Sequence, residues 1–170
     1  NVRNAMAAAA ASIEAGASLV AVVQGLAQVR PVAGRLSQMP GRDGAIVIDD
    51  SYNASPASFR AAIDVLASSA GNRVLIAGDM GELGTQSEQA HIELGLYAKK
   101  SGIDALWTTG AYSALSAESF GAGARYFATQ DALIRHAKEH LHTGDVALVK
   151  GSRSAAMDRV VEQIKKGDSA

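Results

Sequence analysis

The 170 residues carry 16 Lys and Arg against 17 Asp and Glu, a formal net charge of -1. This lacks the basic excess that nucleic-acid binding requires. The absence of cysteine excludes disulfides and thiolate metal sites and fits a cytoplasmic location. The 48% of apolar residues allow one sizeable core. The longest apolar stretch, Ala5 to Ile13, is too short to span a bilayer, so we expect no membrane insertion.

Two helices are predicted in the first forty residues. An Ala-rich segment from Val2 to Glu14 and a second from Ser18 to Ala27 are separated by Gly16, a residue type that ends helices. The pattern then breaks between Val29 and Gly44, where clustered prolines and glycines indicate a connector. We therefore expect a domain boundary near Gly41.

Beyond that boundary, short apolar runs alternate with helical periods. Continuously apolar strands indicate burial on both faces, as helices on either side of a parallel sheet produce. The predicted fold is a Rossmann-like α/β structure with a mostly parallel sheet and helices on both faces. The predicted strands are Ala45 to Ile48, Val74 to Ala77, Ala105 to Thr108, Val146 to Val149 and, more weakly, Arg125 to Phe127. The clearest helical periods are Phe59, Ala62, Ile63 and Leu66, and Met157, Val160, Val161 and Ile164.

In such a fold, ligands bind beyond the carboxyl ends of the strands. Four loops have that position: Asp49 to Ser55, Gly78 to Gly84, Gly110 to Tyr112 and Lys150 to Ser154. In the first, Ser55 is explained as a helix cap followed by Pro56. Asp50, Tyr52 and Asn53 are not needed for capping. They suit a ribose, a base edge or a metal-bound water, although Asp and Asn also favour turns.

The loop Gly78-Asp-Met-Gly-Glu-Leu-Gly84 has three glycines that permit close backbone approach, and its acids Asp79 and Glu82 suit a cation or an ammonium group. It is neither a Walker loop nor a dinucleotide fingerprint. His91 follows near the start of the next helix, where a lone histidine is more often a surface or capping residue than a catalyst.

The loop Lys150-Gly-Ser-Arg-Ser154 places two cations and two hydroxyls at a predicted helix amino terminus. Such an arrangement favours a carboxylate or phosphate ligand, because backbone N–H groups and the helix dipole add to the side-chain charge. The alternative is a solvated basic turn capped by Ser154.

The order of these motifs resembles the Mur ligase family over essentially the whole chain. The matching segments are Asn1-Val-Arg-Asn4-Ala, Pro31-Val-Ala-Gly-Arg35, Asp49-Asp-Ser-Tyr-Asn-Ala-Ser-Pro56, Gly78-Asp-Met-Gly-Glu-Leu-Gly84 and Lys150-Gly-Ser-Arg-Ser-Ala-Ala-Met157. The resemblance implies a three-domain amide ligase that uses ATP and Mg²⁺ to form an acyl phosphate, which an amine then attacks. The implied substrates are a UDP-N-acetylmuramoyl-tripeptide and D-alanyl-D-alanine.

The resemblance also implies roles for individual residues. Asn1 and Asn4 match a His-Asn-x-x-Asn motif whose first Asn lies against the adenine. Arg35 matches an arginine that reaches the ATP phosphates, and Asp50 an acid that domain closure brings to the nucleotide, with Tyr52 and Asn53 beside it. The loop with Lys150, Ser152 and Arg153 would face the amine-donor dipeptide or the acyl phosphate. The acids Asp79 and Glu82 are expected to bind substrate because of their charge. Arg35, Asp50 and Lys150 are the expected catalytic residues.

Several departures from the family matter. Ser55 stands where the family commonly has Asn, and the Gly-Lys-Thr loop, the magnesium-binding acid and the His before Asn1 are absent. Because the chain begins at Asn1 and already reads as a helix there, we expect a piece of a longer protein. Without the lysine loop and the metal, nothing would hold and polarise the γ-phosphate, so we expect this piece to be inactive alone. Residues 1–40 are the expected end of a central ATP-binding domain, and residues 41–170 the carboxyl-terminal domain.

Two other classes remain open. One is a non-catalytic nucleotide- or ligand-binding α/β module, which the same fold supports. The other is a related amide ligase such as folylpolyglutamate synthase, against which the Asp-Ser-Tyr-Asn and Lys-Gly-Ser-Arg loops argue.

Overall fold

The structure, a computed structural model, describes residues 2–29 and 32–167. The chain forms two compact units, Asn1–Pro31 and Val32–Ala170. The first unit contains helices α1 (Val2–Glu14) and α2 (Leu19–Ala27). Ser18 caps α2 by accepting a hydrogen bond from the Ala21 amide, and Gly16 separates the helices with a φ of 95°. Both predicted helices are confirmed.

The second unit is a layered α/β domain. Its sheet has the order β1-β2-β6-β3-β4-β5, in which β1 runs antiparallel to β2 and the other neighbours are parallel. The strands are β1 (Ser37–Pro40), β2 (Ile46–Asp50), β3 (Asn72–Gly78), β4 (Ala105–Thr109), β5 (Ala124–Phe127) and β6 (Asp145–Lys150). The helices are α3 (Pro56–Ala67), α4 (Ser87–Lys100), α5 (Ser113–Phe120), α6 (Gln130–His140) and α7 (Asp158–Ile164).

Alternate residues of each central strand pack into two different cores. On β6, Ala147 and Val149 join the core built with α6 and α7, whereas Val146 and Leu148 join the core built with α3, α4 and α5. Strand side chains point to opposite faces in turn, so helices on both sides of the sheet account for the continuously apolar strands. The predicted fold class is confirmed.

Strand β1 lies inside the predicted connector. Its exposure alternates along the strand, and Pro40 at its end is acceptable because β1 is an edge strand. The segment pairs with β2 from Ser37↔Asp49 to Pro40↔Ile46. The connector prediction was therefore wrong at this segment, where a short polar strand carries too weak a periodic signal to be recognised.

Strand β6 enters the sheet between β2 and β3 although it is the last strand in the chain. The carboxyl ends Asp50, Lys150 and Gly78 are consequently neighbours. This is the switch point at which open α/β sheets bind ligands.

Within the described residues, none of the helices has the length and apolar character needed to cross a bilayer.

Candidate functional site

Asp50 and Lys150 form a buried ion pair at the ends of β2 and β6. The Lys150 ammonium lies 2.6 Å from Asp50 Oδ2, and it also donates to the Asn53 carbonyl at 2.8 Å. Lys150 is only 2% exposed. The alternative of a solvated basic turn is therefore wrong for Lys150, whose charge is held inside the domain by the loop after β2.

The turn from Gly34 to Leu36 is fastened to the same strand end. Asp49 Oδ2 accepts from the Gly34 amide at 3.0 Å, and Asp50 Oδ1 accepts from the Leu36 amide at 3.1 Å. The Tyr52 amide donates to the Gly34 carbonyl at 3.1 Å. Three hydrogen bonds thus hold both neighbours of Arg35.

Arg35 is exposed, and its guanidinium carbon lies 4.5 Å from the centre of the Tyr52 ring. This cation–π contact orients the side chain without neutralising its charge. Tyr52 and Asn53 are also exposed. Asn53 Oδ1 accepts from the Ala54 amide, which is the turn role that its residue type also predicted. The structure therefore brings the exposed guanidinium of Arg35 to the Tyr52 ring, and the exposed amide of Asn53 follows in the chain.

Asp79, after β3, binds the loop after β4. Its carboxylate accepts from the Ser113 hydroxyl at 2.5 Å and from the Tyr112 amide. Gly110 has a φ of 132°, and a Cβ there would lie 2.3 Å from Asp79 Oδ1, so this approach requires glycine. Glu82 is exposed and has a φ of 60°. Of the two predicted acids, Asp79 therefore has a structural role as a hydrogen-bond acceptor within the domain, whereas Glu82 is exposed to solvent.

His91 is completely buried. Its Nε2 accepts from the Met80 amide at 3.1 Å, and its Nδ1 lies 2.6 Å from the Ser87 carbonyl. This pairing defines a neutral ring that carries its proton on Nδ1. The expectation of a surface or capping histidine was wrong, because His91 is buried and accepts a hydrogen bond from Met80 in the glycine-rich loop.

The loop after β6 does not lead directly into an α-helix. A 3₁₀ turn covers Arg153–Ala155, Ala156 adopts a left-handed conformation, and α7 begins only at Asp158. The predicted helix amino terminus at Lys150 to Ser154, and the cap by Ser154, are therefore wrong. The 3₁₀ turn forms because the Ala155 and Ala156 amides donate to Ser152 and Arg153 carbonyls.

Ser152 and Arg153 nevertheless differ sharply in accessibility. Ser152 is 4% exposed and its hydroxyl lies 3.1 Å from that of Ser154. The Arg153 side chain is 74% exposed, with Asp158 at 3.8 Å. Arg153 is thus the cation of this loop that solvent and ligands can reach.

An open cavity of about 260 Å³ lies at this edge of the sheet. Its lining combines a carboxylate, hydroxyls, an amide and backbone: Asp79, Thr109, Gly110, Gln130, Ser154 and Ala155. A larger open groove of about 870 Å³ lies elsewhere, beside β1 and the start of β2, away from the strand ends. The described residues contain no cluster of three potential metal-ligating side chains.

Four other residues complete the account of the site. Asn1 lies outside the described residues, and Asn4 is exposed on α1. Sequence reasoning missed Asp49 and Gln130. Asp49 was placed in a functional loop but given no role, although an acid at a strand end beside a glycine turn is a useful signal. Gln130 is the first residue of α6, directly after the cap residue Thr129, and its residue type alone gives no signal of a role at the site.

Comparison with known proteins assigns the class. The model of the Mur ligase glutamate ligase domain matches residues 34–153, and the chain belongs to the Mur ligase family. UDP-N-acetylmuramoyl-tripeptide–D-alanyl-D-alanine ligase of Escherichia coli K12 is 44% identical over 168 residues, which cover 98% of this chain and 37% of that protein. The chain therefore spans little more than a third of the length of this curated relative.

Solved structures agree with this result. MurF from Acinetobacter baumannii matches with a TM-score of 0.85 and 35% identity, over 95% of this chain and 36% of that one. MurF ligase from Thermotoga maritima in complex with ADP matches with a TM-score of 0.70 and 29% identity, over 81% of this chain and 32% of that one.

Proposed function

We propose that this chain is the carboxyl-terminal part of a cytoplasmic, ATP-dependent ligase that joins D-alanyl-D-alanine to a UDP-N-acetylmuramoyl-tripeptide in peptidoglycan synthesis. The observation that carries the proposal is the exposed Arg35, held over Tyr52 at 4.5 Å beside the buried Asp50–Lys150 pair. A mere binding module has no need of this combination. The similarity to a ligase of that name at 44% identity supports the choice of reaction.

The donor set fits a nucleotide. Arg35 supplies an exposed cation for phosphate oxygens, and Tyr52 and Asn53 add an exposed ring and an amide suited to a ribose or a base. The ADP complex of the Thermotoga maritima relative supports this assignment. When bound, ATP with Mg²⁺ would supply the phosphoryl group that activates the substrate carboxylate. Arg35, Tyr52 and Asn53 would bind and orient the nucleotide.

We propose that the dipeptide binds at the neighbouring loops after β3 and β6. Arg153 is exposed there and suits a carboxylate, while Glu82 suits the dipeptide ammonium. Asp79 and Ser152 shape this region. Asp79 joins the loops after β3 and β4 through Ser113, and Ser152 joins the loop after β6 to Asp79 through a 2.8 Å bond from its amide to the Asp79 carbonyl.

A chimera tests the proposal. This chain would replace the matching 168 residues of the Escherichia coli ligase, and phosphate release from ATP would be measured with each substrate omitted in turn. We expect release only when the tripeptide nucleotide and the dipeptide are both present. A chimera that unfolds cooperatively and binds the UDP substrate, yet releases no phosphate, would favour the non-catalytic module. The chain alone should release none.

A further inference from the structure

The turn that carries Arg153 has an unusual backbone. After the 3₁₀ turn Arg153–Ala155, Ala156 adopts a left-handed conformation with a φ of 47° and a ψ of 45°. This conformation is unfavourable for residues with a Cβ, and it persists only when its surroundings fix it. The chain is also tightly packed just before the turn, because a Cβ at Gly151 would lie 2.6 Å from Met157 Cγ. The shape of the turn therefore depends on specific partners.

One of these partners is Gln130, which lies on a different element. Its Nε2 donates to the Ala155 carbonyl at 3.0 Å and to the Ala156 carbonyl at 3.1 Å, so both amide hydrogens are used. Its Oε1 accepts from Arg159 Nη1 at 3.4 Å. The orientation of the amide is fixed, because carbonyls accept only from its nitrogen and a guanidinium donates only to its oxygen. Gln130 thus holds the end of the 3₁₀ turn and the first turn of α7.

The backbone of Gln130 is itself firmly placed. Gln130 is the first residue of α6, and the side chain of Thr129 caps this helix. One turn further on, Leu133 is completely buried in the core. A pair between Arg159 and Asp131 also joins α6 to α7, but both side chains are exposed and such pairs contribute little. Gln130 therefore connects a fixed helix end to the turn.

Arg153 depends on this turn for its position. Its side chain is 74% exposed, and its contact with Asp158 is long, at 3.8 Å. An exposed ion pair of this kind holds a side chain only weakly, so the backbone of the turn determines where the guanidinium lies. Gln130 and Ala155 also line the cavity of about 260 Å³. Their contact is thus at the edge of the sheet where ligands bind in such folds.

We propose that Gln130 is a positioning residue that fixes the turn after β6 and thereby sets the position in which Arg153 meets the dipeptide carboxylate. Gln130 acts on the backbone of Ala155 and Ala156, and its effect on the dipeptide passes through Arg153. The inference rests on the proposed function for the identity of the dipeptide.

Amide hydrogen exchange on this chain tests the contact. Gln130→Met keeps a long side chain but removes both donors, so it should accelerate exchange at least about fivefold at the Ala155 and Ala156 amides, which close the 3₁₀ turn. Gln89→Met is the matched control, because Gln89 also lies on a helix and donates to a side chain, Glu93, at 3.1 Å. It should leave both amides unchanged. Gln130→Glu, whose carboxylate repels the two carbonyls, should accelerate the same amides and covers the case in which Gln130→Met does not fold. Unchanged exchange at both amides would overturn the proposal.

Dipeptide kinetics in the chimera test the positioning. Gln130→Met should raise the KM for D-alanyl-D-alanine about fivefold, while kcat and the KM for the tripeptide nucleotide stay within about twofold of the unsubstituted chimera. A residue that only stabilised the domain would change the folded fraction, and hence the apparent kcat, without changing this KM. A dipeptide KM equal to that of Gln89→Met, or a fall in kcat alone, would contradict the proposal.

A double-mutant cycle tests whether Gln130 acts through Arg153. Arg153→Ala should raise the dipeptide KM at least about tenfold, because hydrogen bonds to a charged group are lost. Adding Gln130→Met to Arg153→Ala should then change this KM by less than about twofold, since residues that act through one another are not additive. A further fivefold rise would show that Gln130 affects the dipeptide independently and would sink the inference. Failure of the proposed function is distinguishable, because the unsubstituted chimera would then show no substrate-dependent turnover while the exchange measurements still decide whether Gln130 fixes the turn.

Discussion

Lys150 and Arg153 lie three residues apart in one loop and have opposite environments. Lys150 is 2% exposed and paired with Asp50 at 2.6 Å, whereas the Arg153 side chain is 74% exposed, with its nearest acid at 3.8 Å. The first cation therefore holds two strand ends together, and the second is available to a ligand. The difference shows that a charged residue near a strand end can either stabilise the structure around a site or contact the ligand.

The loop after β3 repeats the contrast. Asp79 holds Ser113 and Tyr112, and Glu82, three residues later, is exposed. In both loops the residue nearer the strand is structural. Strand ends are buried by the helices on both faces, so the first polar side chain after a strand must find partners within the protein.

The largest effect expected is that of Lys150→Met on stability. Removing one member of a buried pair leaves an uncompensated carboxylate and costs about 3–5 kcal/mol. Urea unfolding of this chain measures the loss. Arg60→Ala is the control, because its pair with Glu93 is half exposed and is worth less than about 1 kcal/mol. A cost for Lys150→Met as small as the control's would remove the distinction between buried and exposed cations.

The double variant Lys150→Met/Asp50→Leu sharpens this result. Replacing both charges by apolar groups of similar size removes the unpaired carboxylate, so we expect the double variant to recover much of the stability lost in Lys150→Met. The Leu36 amide would still lack its acceptor, so recovery should be incomplete.

The next effect concerns His91, which gives the loop after β3 its internal support. His91→Leu keeps an apolar filling but leaves the buried Met80 amide without an acceptor, at a cost of about 1–3 kcal/mol. Thermal or urea unfolding measures this loss of stability. The control is His142→Leu, because His142 is exposed. If the two variants lose equal stability, His91 is only a space-filling residue.

The sequence allowed the fold class to be predicted. It did not show which polar residues of the site are buried structural residues and which are exposed. Apolar runs such as Val74 to Ala77 carry their own signal, because burial on both faces excludes polar residues. Strand β1 is short and polar, so only its pairing with β2 reveals it. Lys150 and Arg153 are both cations after a strand, and only the fold determines which one meets Asp50. His91 was misjudged because its acceptor role depends on a backbone amide eleven residues away.

A smaller effect is expected at His136, where burial alters a charge. Burial, then the neighbouring charges of His140 and Arg125, lower the pKa of His136 from 6.5 to about 4. Between these values the unfolded chain binds a proton that the folded chain does not. Stability is therefore complete above about pH 6.5, decreases as the pH falls towards 4, and levels below it.

Because His136 is only partly buried, we expect this slope to amount to about 1 kcal/mol. His136→Phe should remove it, which urea unfolding at pH 7 and pH 4.5 measures. His142→Phe, at an exposed position, should keep the slope. Parallel pH profiles for wild type and His136→Phe would show that the environment does not suppress this charge.

The smallest effect is expected at Arg153, and it decides what the exposed half of the loop binds. Arg153→Lys keeps the charge but loses the planar fork that pairs with a carboxylate through two hydrogen bonds. If Arg153 holds the dipeptide carboxylate, this substitution in the chimera should raise the KM for D-alanyl-D-alanine about fivefold, a little under 1 kcal/mol, with the ATP requirement unchanged. If it serves the acyl phosphate, kcat should fall while that KM stays constant. Stability should not change in either case, since the side chain is exposed. Unchanged kinetics for both substrates in Arg153→Ala would show that Arg153 binds neither ligand and is a solvated surface residue.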